Sequence, residues 1–152
     1  MEVGFTGTRE GMSSSQKIQL YAVLVGFGGM LGGFHFGGQV GADVEAAAVL
    51  ERLKRAHPAR FGPVEIVCHP CPGVVATRET SKAWTWREVF PPLTRNQHII
   101  NETQILIAAP RSNVPELRSG TWATIRRAQE RLMPVVMLSR GTLSERRSRR
   151  QG

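Results

Sequence analysis

Five short apolar stretches, residues 3–6, 33–36, 64–69, 104–109 and 134–139, recur along this chain, and several are apolar at consecutive positions instead of alternating. Strands buried on both faces of a parallel sheet read this way, whereas a half-solvated antiparallel strand alternates. Helical spacing fills the intervals. Ser13 followed three residues later by Gln16 has the form of a capping box, and Ile18, Tyr21, Leu24 and Val25 then follow helical spacing. Asp43 is a good N-cap residue ahead of the stripe Ala46, Ala47, Leu50 and Leu53, which ends before His57 and Pro58. After Pro91 and Pro92, residues 93–102 bring Leu93, Ile99 and Ile100 within helical reach, and residues 121–132 do the same with Ile125, Ala128 and Leu132 until Pro134 stops them.

The order strand-helix, repeated four times and closed by a strand, predicts an α/β fold: a Rossmann-like, doubly wound parallel sheet of about five strands. With one reversal of winding the strand order is 3-2-1-4-5, with helices on both faces. Ligands of such sheets lie at the carboxyl ends of the strands beside the reversal, here between the first and fourth strands. Residues 71–86 lack clean periodicity and read as a long surface loop, a candidate lid with Trp84 and Trp86 on it.

At 152 residues the chain is long enough for one domain with a full core, assigned to residues 1–139. The net charge is +8, but residues 140–152 hold five arginines against Glu145 and so carry half of it. That segment reads as a solvated basic tail, with salt-sensitive, non-specific nucleic-acid contact as the alternative. No Asp, Glu, Lys or Arg occurs between Lys17 and Asp43, a span long enough to cross a bilayer, but its many glycines and its Gln19, His35 and Gln39 fit a buried helix and strand better. The first residues lack a secretory signal, so a cytoplasmic location is expected. Cys68 and Cys71 form a single Cys-x-x-Cys pair without the second pair of a structural zinc site, and read as two reduced thiols. No metal site or cofactor is expected.

Three loops at the predicted crevice place glycine and hydroxyl residues just ahead of a helix: Gly7, Thr8 and Arg9 with Gly11; Gly37 and Gly38 with Gly41 and Asp43; and Arg118, Ser119, Gly120 and Thr121. Glycine admits an anion close to backbone N–H groups, Ser and Thr add donors, and the helix N-terminus adds a favourable dipole. Arg9 and Arg118 add full charge. The convergence points to a phosphate-bearing ligand, most simply a nucleotide. Neither the P-loop pattern nor the dinucleotide fingerprint is present, which argues against an ATPase, a kinase or an NAD enzyme.

The same residues carry a family resemblance. The run from Gly4 to Arg9 with Gly11 and Met12, then Gly37-Gly38, Gly41-Ala42-Asp43, His69-Pro70, Arg95-Asn96, Ala108-Ala109-Pro110 and Ser119 to Thr124 resemble the SLOG superfamily. That superfamily includes the LONELY GUY phosphoribohydrolases, the DNA-processing protein of natural transformation, and sensor domains for nucleotide-derived signals. The resemblance spans about residues 3–139 and is strongest to small stand-alone members of phage or mobile-element type. It implies a Rossmann-like fold with Gly120 and Thr121 at a phosphate and with Arg95 and Asn96 completing the site.

In the phosphoribohydrolases a glutamate follows the last loop and an arginine assists cleavage of the base-ribose bond. Arg95 matches the arginine, the one catalytic candidate, but Thr124 stands where the glutamate is expected and cannot act as a carboxylate. Glu116 and Glu102 could replace it only if the fold presents them. The expected function is therefore binding of a nucleotide or nucleotide-derived ligand, as a sensor or sequestering protein. The alternatives are an N-glycosidase on nucleoside monophosphates and a DNA-binding module using the tail. The expected partners are a nucleotide-type small molecule and, through the tail, nucleic acid; assembly with further copies of the chain is allowed and a membrane is not expected.

Overall fold

A computed structural model describes residues 1–73 and 81–141. Strand β1 (Glu2–Gly7) leads into helix α1 (Ser14–Phe27), a short 3-10 turn and strand β2 (Gly33–Phe36). Helix α2 (Ala42–Ala56), the single turn α3 (Pro58–Phe61) and strand β3 (Glu65–Cys68) follow. Strand β4 (Thr85–Trp86), helix α4 (Pro92–Glu102), strand β5 (Ile105–Ala109), helix α5 (Gly120–Glu130) and strand β6 (Val135–Met137) complete the described chain. All strands pair in parallel, in the order β4-β3-β2-β1-β5-β6.

The five expected strands occupy the expected order, and the sheet gains a sixth at one edge. β4 is two residues long, too short to leave a periodic signal, and it lies inside the segment read as a loop. Its anchors are side chains: Trp84 meets Phe36 edge-on with ring centroids 5.0 Å apart, stacks on Trp86 at 5.8 Å, and donates its indole N–H to Glu51. The two tryptophans therefore pin this segment to the sheet. Of the candidate lid, residues 74–80 lie outside the described residues.

Two faces of the sheet carry different cores. Val3, Phe5, Phe34, Phe36, Ile66, Ile107 and Ala109 pack with Leu20 and Leu24 of α1, Ala46, Leu50 and Leu53 of α2, and Phe61. On the opposite face Leu106 and Ala108 meet Ile100 of α4 and Trp122, Ile125 and Ala128 of α5. Alternate strand residues thus serve opposite layers, as strict period-2 side-chain direction requires.

The capping box forms as expected, with Ser13 Oγ accepting from Gln16 N and Gln16 Oε1 from Ser13 N. The inner stripe of α1 is different from the expected one: Ile18 and Tyr21 are exposed, and Gln16, Leu20 and Leu24 face inward. This helix is apolar on nearly every side, so spacing alone does not set its rotation. Gln16 sets it by donating from Nε2 to the carbonyls of Pro110 and Leu138, which ties α1 to the ends of two strands. Among the described residues, no helix is long and apolar enough to cross a membrane. Cys68 and Cys71 are buried and free, and burial pushes the Cys68 thiol up to about 12.

Candidate functional site

The carboxyl ends of β1, β2 and β5 open into a cavity of about 490 Å³. Gly7, Thr8, Arg9, Gly37, Asp43, Arg95, Asn96, Arg118, Ser119, Gly120 and Thr121 line it. Gly38, also expected there, is buried at φ 71 within the β2–α2 turn and is not on the cavity wall.

Several expected ligand groups turn out to build the cavity. A Cβ on Gly7 would overlap that of Ala42, so this glycine lets α2 approach the end of β1. Thr8 accepts through its carbonyl from Gly11 N and Ala42 N, and its Oγ1 accepts from Glu10 N at 3.2 Å. The cap of α2 is Gly41, at φ 93, instead of Asp43. A side chain at 41 would run into the Arg9 carbonyl, so only glycine closes this turn. Asp43 sits in the first turn with its carboxylate directed back at the loop, accepting from Gly37 N at 3.1 Å and Gln39 N at 3.4 Å. Ser119 caps α5 by accepting from Trp122 N.

Arg95, on α4, forms the floor. It is 6% exposed, donates from Nη1 to the carbonyls of Gly37 (3.0 Å) and His69 (3.2 Å), and donates from Nε to Asn96 Oδ1 at 2.7 Å. Burial raises the Asp43 carboxyl to about 6, with the Arg95 charge and the two backbone N–H groups pulling the other way. Desolvation dominates because the pair lies beneath the loops.

At the opposite wall α5 presents its N-terminus. Gly120 N and Thr121 N have no hydrogen-bond partner among the described residues, as befits the first N–H groups of a helix. A Cβ on Gly120 would meet nothing within 4 Å, so the backbone there is open. Arg9 and Arg118 are exposed at the rim and have no ion-pair partner among the described residues.

Arg111, Glu10 and Glu116 also line the cavity and went unnoticed as a group in the sequence. Arg111 reaches Glu10 at 3.2 Å and holds Glu116 in a forked pair at 2.5–3.1 Å, which keeps the Glu116 carboxyl below its usual range. Arg111 directly follows Pro110 at the end of β5, the position equivalent to Arg9 after β1, so the strand-end rule applied to every strand would have found it. Thr124 is buried and spends its hydroxyl on the Gly120 carbonyl. Glu102 lies at the far end of α4, away from the cavity, and Trp122 packs in the core against Ala108 and Ile125. Arg140, assigned to the tail, donates to the Gly11 carbonyl and to Gln16 Oε1, while residues 142–152 lie outside the described residues.

No protein-family model and no curated protein sequence matches the chain. Solved structures do. A molybdenum cofactor binding protein from the phototrophic bacterium Rippkaea orientalis superposes with a TM-score of 0.61 at 16% identity, over 99% of this chain and 82% of that one. DNA processing protein A from Helicobacter pylori, described for its single-stranded DNA binding mode, superposes with a TM-score of 0.56 at 17% identity, over 90% of this chain and 64% of that one. At these identities the likeness is one of fold, a Rossmann-like parallel α/β sheet.

Proposed function

We propose that this chain, which has the SLOG-type Rossmann-like fold, binds a nucleotide or nucleotide-derived phosphate ligand at the carboxyl ends of β1, β2 and β5. The observation that carries this reading is the pairing, around one cavity, of Gly120 and Thr121 N–H groups with Arg9 and Arg118, all without a partner among the described residues. A helix N-terminus and two guanidinium groups form a strong anion acceptor. Arg95 and Asp43 lie deeper, where a sugar hydroxyl or base edge would reach them. The Rippkaea protein binds a cofactor, and that precedent supports a small-molecule role for this fold.

Binding without turnover is the better reading. Of the carboxylates lining the cavity, Glu116 and Glu10 are held by Arg111 and Asp43 by two backbone N–H groups, and Thr124 is spent on the helix. Calorimetry against nucleoside mono-, di- and cyclic nucleotides tests the proposal. The expected result is a ligand whose binding is lost in Arg9→Ala and whose base is not released over hours. A panel without heat would remove the nucleotide reading, and release of free base that stops in Arg95→Ala would replace it with N-glycosidase activity. Salt-sensitive binding of single-stranded DNA, with no mononucleotide bound, would favour the role named for the Helicobacter protein.

A further inference from the structure

Away from the cavity, on the sheet face covered by α4, four titratable side chains form a line: Glu2 of β1, His35 of β2, His69 just past β3, and Glu102 at the end of α4. Both imidazoles are almost fully buried. His35 Nε2 is 3.0 Å from Glu2 Oε1, His35 Nδ1 is 2.8 Å from His69 Nε2, and His69 Nδ1 is 3.5 Å from Glu102 Oε2. Three contacts require three protons. Two neutral imidazoles bring only two N–H groups.

The distances show which contact lacks its proton. The first two are of hydrogen-bond length, so His35 donates from Nε2 to Glu2 and His69 donates from Nε2 to His35. His69 Nδ1 is left with a lone pair facing a carboxylate oxygen, an arrangement that is repulsive unless a cation lies between them. A proton on Nδ1 would draw the carboxylate in to a charge-assisted hydrogen-bond length of about 2.7–2.9 Å, whereas the gap is 3.5 Å.

We propose that His69 Nδ1 and Glu102 Oε2 hold a divalent transition-metal ion of the zinc class, with His35 and Glu2 as the supporting outer pair. Metal bonds of about 2.1 Å at tetrahedral angles place the two ligand atoms roughly 3.4 Å apart, in keeping with the observed gap. A ligating histidine characteristically donates its other N–H to a fixed acceptor, here His35 backed by Glu2. The two ligand atoms belong to a compact cluster of His35, His69 and Glu102 whose side-chain nitrogen and oxygen atoms, one from each residue, lie within 4.8 Å of one another. Arg87 bonds Glu102 Oε1 at 2.9 and 3.0 Å, leaving Oε2 for the ion, and the part-exposed Glu102 side admits water to complete the shell. The His69 carbonyl accepts from Arg95, so an ordered His69 also steadies the cavity floor.

Cobalt titration of chelator-treated full-length protein tests this site. The expected result is saturable one-to-one visible d–d absorption without thiolate charge transfer, displaced by zinc, accompanied by a rise in melting temperature. Affinity should fall roughly tenfold or more in Glu102→Gln and persist in Cys68→Ser and His98→Gln. Glu102 is part-exposed and the glutamine keeps an oxygen for Arg87, so this variant should fold, which circular dichroism would verify. Absence of a saturable spectrum, or one unchanged in a folded Glu102→Gln, overturns the site. So does a nitrogen NMR spectrum showing His69 as a doubly protonated imidazolium at neutral pH.

Discussion

A Cβ on Gly37 would overlap Nη1 of Arg95, so the guanidinium lies directly against the backbone at the end of β2. The Gly37 carbonyl accepts from that same nitrogen at 3.0 Å. This contact seats a buried cation at the cavity floor and explains why a glycine is required there.

Gly37→Ala should therefore displace Arg95 and crowd Asp43 Oδ2, which would stand 3.0 Å from the new methyl. Overpacking of this kind costs about 1–3 kcal/mol. Chemical denaturation should show that loss together with weakened ligand binding, and unchanged values for both would mean that Arg95 has room to move.

Asp43 carries a pH signature. Its carboxyl sits at about 6 in the folded chain against an ordinary 3.8, so between those values the native state holds more protons than the unfolded one. Its contribution to stability is fully present below pH 3.8 and is lost as pH rises to about 6. Asp43→Asn should remove that slope, about 3 kcal/mol across the window at most. Denaturation midpoints of the two proteins compared from pH 4 to 7 would reveal it, and parallel curves would place the carboxyl nearer its normal value. Binding of an anion should likewise tighten as pH falls through 6 in wild type alone.

Arg118→Ala separates recognition from folding. The side chain is exposed and unpaired among the described residues, so melting should not change. Losing one charged hydrogen bond to a phosphate should weaken binding by roughly 10- to 100-fold. Calorimetry that finds full affinity would place the anion elsewhere.

Gln16→Ala tests the strut between α1 and the strand ends. Two carbonyls, of Pro110 and Leu138, would lose their bonds to Nε2 and the capping box would lose one arm. A loss on the order of 2–4 kcal/mol follows from one buried amide removed and its acceptors stranded. A change within experimental error in urea denaturation would show that water replaces the amide.

Local pattern was enough for five of the six strands, the four long helices and the three loops. Consecutive apolar residues, a capping box and glycines before helices are set by near neighbours, and the sequence records near neighbours directly. The same reasoning placed eleven of the named loop and helix residues on positions that converge at one cavity.

What only the tertiary structure decided is which groups face each other once distant segments meet. The cap of α2 passed from Asp43 to Gly41 because the Arg9 carbonyl closes over it. The rotation of α1 came from Gln16 reaching strand ends about a hundred residues away, and β4 from tryptophans packing on Phe36. Parallel register set His35 beside Val67 and brought His69, the next residue on the same face, within reach, while α4 laid Glu102 against them. Periodicity reports which side of an element is apolar. It carries no information about the register between strands or the rotation of one helix over another, and those two quantities fix the long-range polar contacts described for this protein.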